Sequence, residues 1–281
     1  MPEPLRHTSA ATLGPNPARA VLRVLSLLLV SLFLLPLCTL IVGAAALCGP
    51  AARTRVVVVL TPLVLGSFAL ALWLRVRVVG RRDPEARLFV GNHISYLDII
   101  TAGIGAAGVF VSRHDVRDWP LIGLFARLAG TVFLDRRSLR SAVASAEAMA
   151  ERLEHGARVI LFPEGGTSSG ETVEPFKPFL FGGVVARGVA VQPFTIRYTH
   201  LGSTPITPTL RPLVAWYDPA PPFHVHAWRL LKLPSLRAEI TFHPTTRPVP
   251  STDRDSVRRF SEEVWHTVSD GLHTDAGIHR T

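Results

Sequence analysis

Cysteine is nearly absent. The two in the chain, Cys38 and Cys48, both lie within one apolar run, so the rest of the sequence has no disulfide framework and no cysteine-based zinc pattern. Acidic residues are scarce, 21 against 30 Lys and Arg, which leaves a net charge of +9 and a pI near 10.8. Neither zinc-finger spacing nor an RNA-recognition signature accompanies that charge, so nucleic acid is a poor partner for it. No internal repeat is visible, which sets aside solenoids and propellers.

Apolar length is in excess. Val24–Cys48 and Val56–Leu74 each run without a charge. Either is long enough for a helix rising ~1.5 Å per residue to cross a hydrocarbon layer of ~30 Å. The short joint Gly49–Arg55 makes the pair an antiparallel membrane hairpin, spanning or re-entrant. A signal peptide competes for the first run, since Arg19 and Arg23 precede it and Ala44–Ala46 resembles a cut site. An h-region covers only ~7–15 residues, however, and here a second run follows at once. Leu47 disfavours a lipidated Cys48. Arg19, Arg23, Arg75, Arg77, Arg81 and Arg82 flank the hairpin, with Arg53 and Arg55 in its joint. The positive-inside bias puts both ends, and the main domain, on the cytoplasmic face of the membrane. Such a collar beside an anionic leaflet adds ~1 kcal/mol of attraction per residue. The expected division is residues 1–23 as a cytoplasmic segment, 24–74 as the hairpin, 75–250 as an α/β domain, and 251–281 as a C-terminal amphipathic helix and tail.

Beyond Arg82, short apolar runs alternate with helical periods, the pattern of an α/β fold with a mixed, mostly parallel sheet flanked by helices. Strands are expected over Leu88–Val90, Val109–Ser112, Thr131–Leu134, Arg158–Phe162, Val189–Ile196, Leu213–Tyr217 and Leu236–Phe242. Pro193 marks its strand as broken or near an edge. Helices are expected over Ser138–His155, Phe179–Arg187 and Asp253–Leu272, with a short turn at Trp228–Leu231.

Ligands of open α/β sheets gather outside the carboxyl ends of the strands. Three expected strands deliver polar groups there: His93 with Asp98, Asp135 with Arg136, and Glu164 with Gly165 and Gly166. A neutral imidazole can take a proton from an alcohol, and a carboxylate can hold its tautomer. Read with no nucleophile of the chain's own, the pair points to a substrate that supplies the attacking hydroxyl. Five helical positions turn the chain by ~500°. His93 therefore belongs in the loop before a helix, with Asp98 on the first turns bending back. Each feature also has an ordinary reading: a satisfied core histidine, a surface ion pair, a plain turn. Asn92 and Ser95 are poor metal ligands, His224 and His226 lack further ligand spacing, and His114 and His243 carry no signal.

Asn92-His93-Ile94-Ser95-Tyr96-Leu97-Asp98, Gly130–Arg136, Phe162-Pro163-Glu164-Gly165 and Val191-Gln192-Pro193 follow one another in order. On these blocks, with Trp119–Gly123 and Phe176-Lys177, residues 75–215 resemble the phospholipid/glycerol acyltransferase family. The resemblance implies a membrane-bound O-acyltransferase that moves a fatty acyl group from acyl-CoA or acyl-acyl carrier protein (acyl-ACP) to a lysolipid hydroxyl. The default acceptor is 1-acylglycerol 3-phosphate, giving phosphatidic acid. It implies no cofactor beyond that co-substrate, no metal and no covalent intermediate. Its partners are the lysolipid, the donor and the bilayer, with no nucleic acid. His93 would be the base and Asp98 its orienting partner. Arg136, Glu164, Gly165 and Gly166 would bind the acceptor, with Asn92, Arg113 and Lys177 auxiliary. The chain departs from the family where Thr-Arg usually follows Glu-Gly. It reads Gly166-Thr167-Ser168-Ser169-Gly170, without the arginine. A lyso-ornithine lipid is therefore the alternative acceptor. A catalytically inactive lipid-binding scaffold is the alternative of another class, opposed by the intact His93, Asp98, Arg136 and Glu164.

Overall fold

The computed structural model describes residues 13–119, 122–134, 139–154, 156–217 and 219–273. Two helices come first, α1 (Pro17–Leu47) and α2 (Pro50–Leu72). Asn16 caps α1 by accepting the Ala18 N–H, with Pro17 at the first helical position. The joint is shorter than the sequence implied. Cys48 and Gly49 suffice, because Gly49 adopts φ +105° and Pro50 enters α2 with its φ already set. Arg53 and Arg55 consequently ride on the first turns of α2.

Among the described residues, eight strands form one sheet: β1 (Leu74–Val79), β2 (Leu88–Gly91), β3 (Val109–Arg113), β4 (Val132–Leu134), β5 (Val159–Leu161), β6 (Val191–Leu201), β7 (Thr204–Pro205) and β8 (Leu236–Phe242). Their order is β1-β8-β6-β2-β5-β3-β4, with β7 paired to β6. All neighbours are parallel except the β6–β8 and β6–β7 pairs. The remaining helices are α3 (Asp98–Ala106), α4 (Ile122–Leu128), α5 (Leu139–Glu154), α6 (Gly182–Ala186), α7 (Phe223–Lys232) and α8 (Arg254–His273).

Strand alternation builds two cores. Phe89, Phe194, Ile196 and Phe242 meet Ala102 and Ala106 of α3 on one face, and α2 packs over α3. Leu88, Val90, Leu161 and Val191 meet Met149 of α5, Val184 of α6, and Val257, Phe260 and Val264 of α8 on the other. The hairpin lies along the domain and does not project from it. Val42 and Val57 near its turn join the domain core, and Phe68 meets Phe125 edge-on at 5.4 Å. At its base Arg23, only 1% exposed, donates to the carbonyls of Leu231 (3.0 Å) and Pro234 (3.1 Å) and stands over the Trp73 ring. A cation at the carbonyl end of α7 suits the helix dipole, so Arg23 is spent inside the fold and is no part of a membrane collar. The outer face of α1 is open, with Leu25, Leu32, Phe33 and Leu40 exposed.

Four expectations change. Leu213–Tyr217 is not a strand. Arg211–Leu213 is a 3-10 turn entered at Pro212, and the Trp216 N–H goes to the Ile94 carbonyl instead of a ladder. Phe179–Arg187 divides into a 3-10 turn, Pro178–Phe181, and α6. Trp228–Leu231 is the last part of the longer α7. Pro193 sits in an interior strand. Its carbonyl accepts from His243, just past the end of β8, so its donor-less nitrogen faces that strand's end and not β2.

Candidate active site

β2 stops at Gly91, where an added Cβ would lie 2.2 Å from the Phe194 ring. That close approach lets Asn92 act as one more rung of the ladder. Its Nδ2 donates to the Ile196 carbonyl (3.0 Å), and its Oδ1 accepts the Ile196 N–H (2.7 Å). The chain then turns around a single carboxylate at the start of α3. Asp98 has no exposed surface. Its Oδ2 accepts from His93 Nδ1 (2.8 Å), the Ser95 N–H (2.8 Å) and the Ile94 N–H, while its Oδ1 accepts from the Tyr198 hydroxyl (2.6 Å). Burial and the charge of Asp98 push the Tyr198 phenol well up, so it remains a donor.

A carboxylate collecting this many donors acts as acceptor to His93 as well, so the ring proton belongs on Nδ1 and Nε2 keeps its lone pair. The imidazole stacks on Phe162 at 4.4 Å and 11°, and 19% of its side chain is accessible. Its backbone is bracketed by the loop after β5. Glu164 Oε1 accepts the His93 N–H, and the His93 carbonyl accepts from the Ser168 N–H (2.7 Å) and hydroxyl (3.1 Å). Glu164 Oε2 accepts the Glu174 N–H (2.9 Å). The carboxyl is thus buried and spent on the loop. Burial pushes it up to about 8, against the pull of those N–H groups and the Ser168 hydroxyl, with the charge of Asp98 adding to the rise.

The loops after β2 and β5 therefore meet, as expected from the rim of the sheet. Asp135 and Arg136, after β4, lie outside the described residues. Gly165 turns at φ +90°, and Gly166 is exposed with open space around it. Lys177 is exposed and tied to the Pro163 carbonyl through its backbone. Arg113 pairs with Asp115 on the surface (Nε–Oδ1 2.9 Å). The Thr167 hydroxyl donates to the Trp216 carbonyl.

Sequence reasoning missed the stacking face of Phe162 and the hydroxyl of Tyr198. The latter had a signal: it continues the period of two set by Phe194 and Ile196. It also passed over Gly166-Thr167-Ser168-Ser169-Gly170, which spells the G-x-S-x-G of a serine nucleophile. The structure removes that role. Ser168 is buried, its N–H goes to the His93 carbonyl, its hydroxyl is held between that carbonyl and Glu164, and it stands in an irregular loop, not at a strand-to-helix elbow. His226 is buried against Tyr96 (Nδ1–hydroxyl 3.2 Å). Among the described residues, no group of three or more His, Cys, Asp or Glu is placed to hold a metal ion.

An apolar cavity of about 400 Å³ lies between the hairpin and the domain, lined by Val42, Leu60, Val64, Ile99, Phe110 and Phe125 among others. Phe110 stacks on Phe162 at 6.5 Å, and Phe162 stacks on His93. A line of rings thus runs from the cavity wall to the imidazole.

The profile of the family described as "Acyltransferase" matches residues 75–197. The chain is 34% identical over 196 residues to a lyso-ornithine lipid O-acyltransferase of Brucella abortus, covering 67% of this chain and 73% of that one. It is 31% identical over 226 residues to a 1-acyl-sn-glycerol-3-phosphate acyltransferase of Neisseria meningitidis, covering 79% and 84%. The crystal structure of the 1-acyl-sn-glycerophosphate acyltransferase of Thermotoga maritima is similar in fold. Its TM-score is 0.58 at 21% identity, covering 91% of this chain and all of that one.

Glu164 generates a test. Its folded value of about 8 lies above its ordinary 4.5, so the folded state holds the proton more tightly. The stabilisation this gives is complete below about pH 4.5 and is lost as pH rises through about 8. Glu164→Gln keeps an acceptor for the His93 N–H and cannot ionise. Thermal unfolding in detergent should show a fall in stability over that window for the wild type and a flatter profile for the variant. Parallel profiles would remove Glu164 as the source.

Proposed function

The chain belongs to the acyltransferase family and is a lysolipid O-acyltransferase; from that premise we propose that its acceptor is a lyso-ornithine lipid, acylated at a bilayer surface from acyl-CoA or acyl-ACP. In the proposed mechanism, His93 Nε2 takes the proton of the acceptor hydroxyl as that oxygen attacks the thioester carbonyl. Asp98 stabilises the imidazolium that forms. The tetrahedral intermediate collapses, the C–S bond breaks, and the imidazolium returns the proton to the departing thiolate. Glu164, Ser168 and Tyr198 act through His93 and Asp98 as positioning residues. The apolar cavity gives room for an acyl chain.

Thr167 carries the choice of head group. It stands where the family pattern has a phosphate-binding arginine, and its hydroxyl is committed to the Trp216 carbonyl. A site lacking that guanidinium suits a head with less anionic charge than a phosphate, and the Brucella relative bears the matching name. Lysophosphatidic acid is the second reading, supported by the longer match to the Neisseria enzyme. Arg136 would read the acidic group of either head.

Two helices are long and apolar enough to cross a membrane by length and composition. Because the hairpin lies along the domain, we place the open face of α1 in one leaflet, with the domain on the cytoplasmic side where both donors occur.

The deciding experiment supplies the membrane fraction with labelled acyl donor and a panel of lysolipids, and identifies the product by mass. Acylated ornithine lipid is expected, and phosphatidic acid as the main product would overturn the head-group reading. General base catalysis typically contributes ~10²–10⁴-fold. His93→Ala should therefore lower transfer at least about 100-fold while the protein stays folded; near-normal turnover would remove His93 from the mechanism. Arg136→Ala should raise the acceptor KM much more than the donor KM, whereas equal effects would take Arg136 away from the head group. Tyr198→Phe should lower kcat by about tenfold with both KM values kept, consistent with the loss of one charge-assisted hydrogen bond to Asp98. An unchanged kcat would leave Tyr198 a merely structural part.

A further inference from the structure

The sheet face turned away from the hairpin carries arginines for which the reaction has no use. Leu74, Val76, Ala238, Ile196, Ile240 and Tyr198 pack on the α3 side. Strand alternation therefore sends Arg75 and Arg77 of β1, Arg237 of β8 and Arg197 of β6 to the opposite face. Register sets Arg75 beside Arg237, and Glu239 between Arg77 and Arg197. Glu239 is buried and bridges both neighbours, Arg77 at 3.3 Å and Arg197 at 2.9 Å. Arg77 and Arg197 thus share the Glu239 carboxylate, and Arg75 and Arg237 stand side by side next to them. Arg75 and Arg237 are exposed, and 71% of the Arg77 side chain is accessible.

Like charges facing each other across neighbouring strands weaken the pairing, so Arg75 beside Arg237 is a cost to the sheet. Edge strands do carry positive charge to discourage sheet-to-sheet pairing, but Arg237 belongs to β8, which is paired on both sides. The lipid surface does not explain the patch either. With α1 seated in a leaflet on the far side of α3, these arginines face solvent. On β6, Arg197 lies between Ile196, which holds Asn92, and Tyr198, which holds Asp98. The patch is therefore rigidly joined to the catalytic pair.

Resting on the proposed function, we propose that this face docks the small, strongly acidic carrier protein that delivers the acyl thioester. The exposed guanidinium groups of Arg75, Arg77 and Arg237, on two strands ~4.8 Å apart, present an open surface with forks that match protein carboxylates. Complementary charge of this kind raises the encounter rate and fixes orientation, which a soluble donor approaching a membrane-seated enzyme requires.

The experiment compares two donors of the same acyl chain, acyl-ACP and acyl-CoA, with the full chain in lipid–detergent micelles. Wild type is set against Arg75→Glu/Arg237→Glu and the milder Arg75→Gln/Arg237→Gln. With the carrier donor, kcat/KM should fall at least about tenfold for the charge reversal and less for the Gln pair, chiefly through KM. With acyl-CoA it should stay within about twofold, the pattern of lost electrostatic encounter. Equal losses with both donors would assign the patch to coenzyme A phosphates or to strand integrity and overturn the docking. No loss with either would reduce it to a guarded edge, and a wild type that uses only acyl-CoA would also overturn it. Absence of transfer from both donors in the wild type would instead overturn the acyltransferase reading itself.

Discussion

A carboxylate with no exposed surface is stable as an anion only if the fold surrounds it with donors, and Asp98 obtains them from two parts of the chain, its own loop and β6. The Ile94 and Ser95 N–H groups wrap the 92–97 loop around it, the Tyr198 hydroxyl reaches it from β6, and His93 Nδ1 completes the set. Each contact also fixes something else. The loop cannot relax without releasing Asp98, β6 cannot shift without moving Tyr198, and the imidazole cannot rotate without taking a donor from a buried carboxylate. Asn92 and Glu164 repeat the arrangement at either side of His93, one on the β6 backbone and one on the loop after β5.

Apolar packing gives this polar knot its setting. The hairpin lies flat on α3 and α4, so the largest open apolar face belongs to α1 while the cavity beneath it reaches toward Phe110 and Phe162. In the proposed function, the acceptor hydroxyl and the acyl chain would share this side of the sheet, beside the His93 ring stacked on Phe162. The opposite face is covered over its centre by α5, α6 and α8, and only at its β1–β8 edge do arginines (Arg75, Arg77 and Arg237) turn to solvent.

Much of this was legible in the sequence where a local rule acts alone. Charge-free runs marked α1 and α2, short apolar runs marked the central strands, and Gly156 marked the end of α5. The spacing from His93 to Asp98 anticipated a loop followed by a first helical turn. What escaped depends on contacts between distant segments. Pro193 reads as a strand breaker until His243 shows which way its nitrogen faces. Leu213–Tyr217 has a strand's composition, but its Trp216 N–H is claimed by Ile94. Tyr198 is one aromatic among several until β6 pairs with β2. The G-x-S-x-G spelling at Gly166–Gly170 shows the converse: a correct pattern emptied of its usual meaning because Ser168 is committed to the His93 carbonyl.

The central claim is that Asp98 keeps the His93 proton on Nδ1 and leaves Nε2 free to accept one from the acceptor. Nitrogen-15 NMR of histidine-labelled protein, with the His93 signals assigned by their loss in His93→Gln, reads this directly. A neutral ring protonated at Nδ1 is expected, with a downfield Nδ1 proton that disappears in Asp98→Asn. A ring carrying its proton on Nε2, or one that exchanges between the two forms as a free imidazole does, would contradict it.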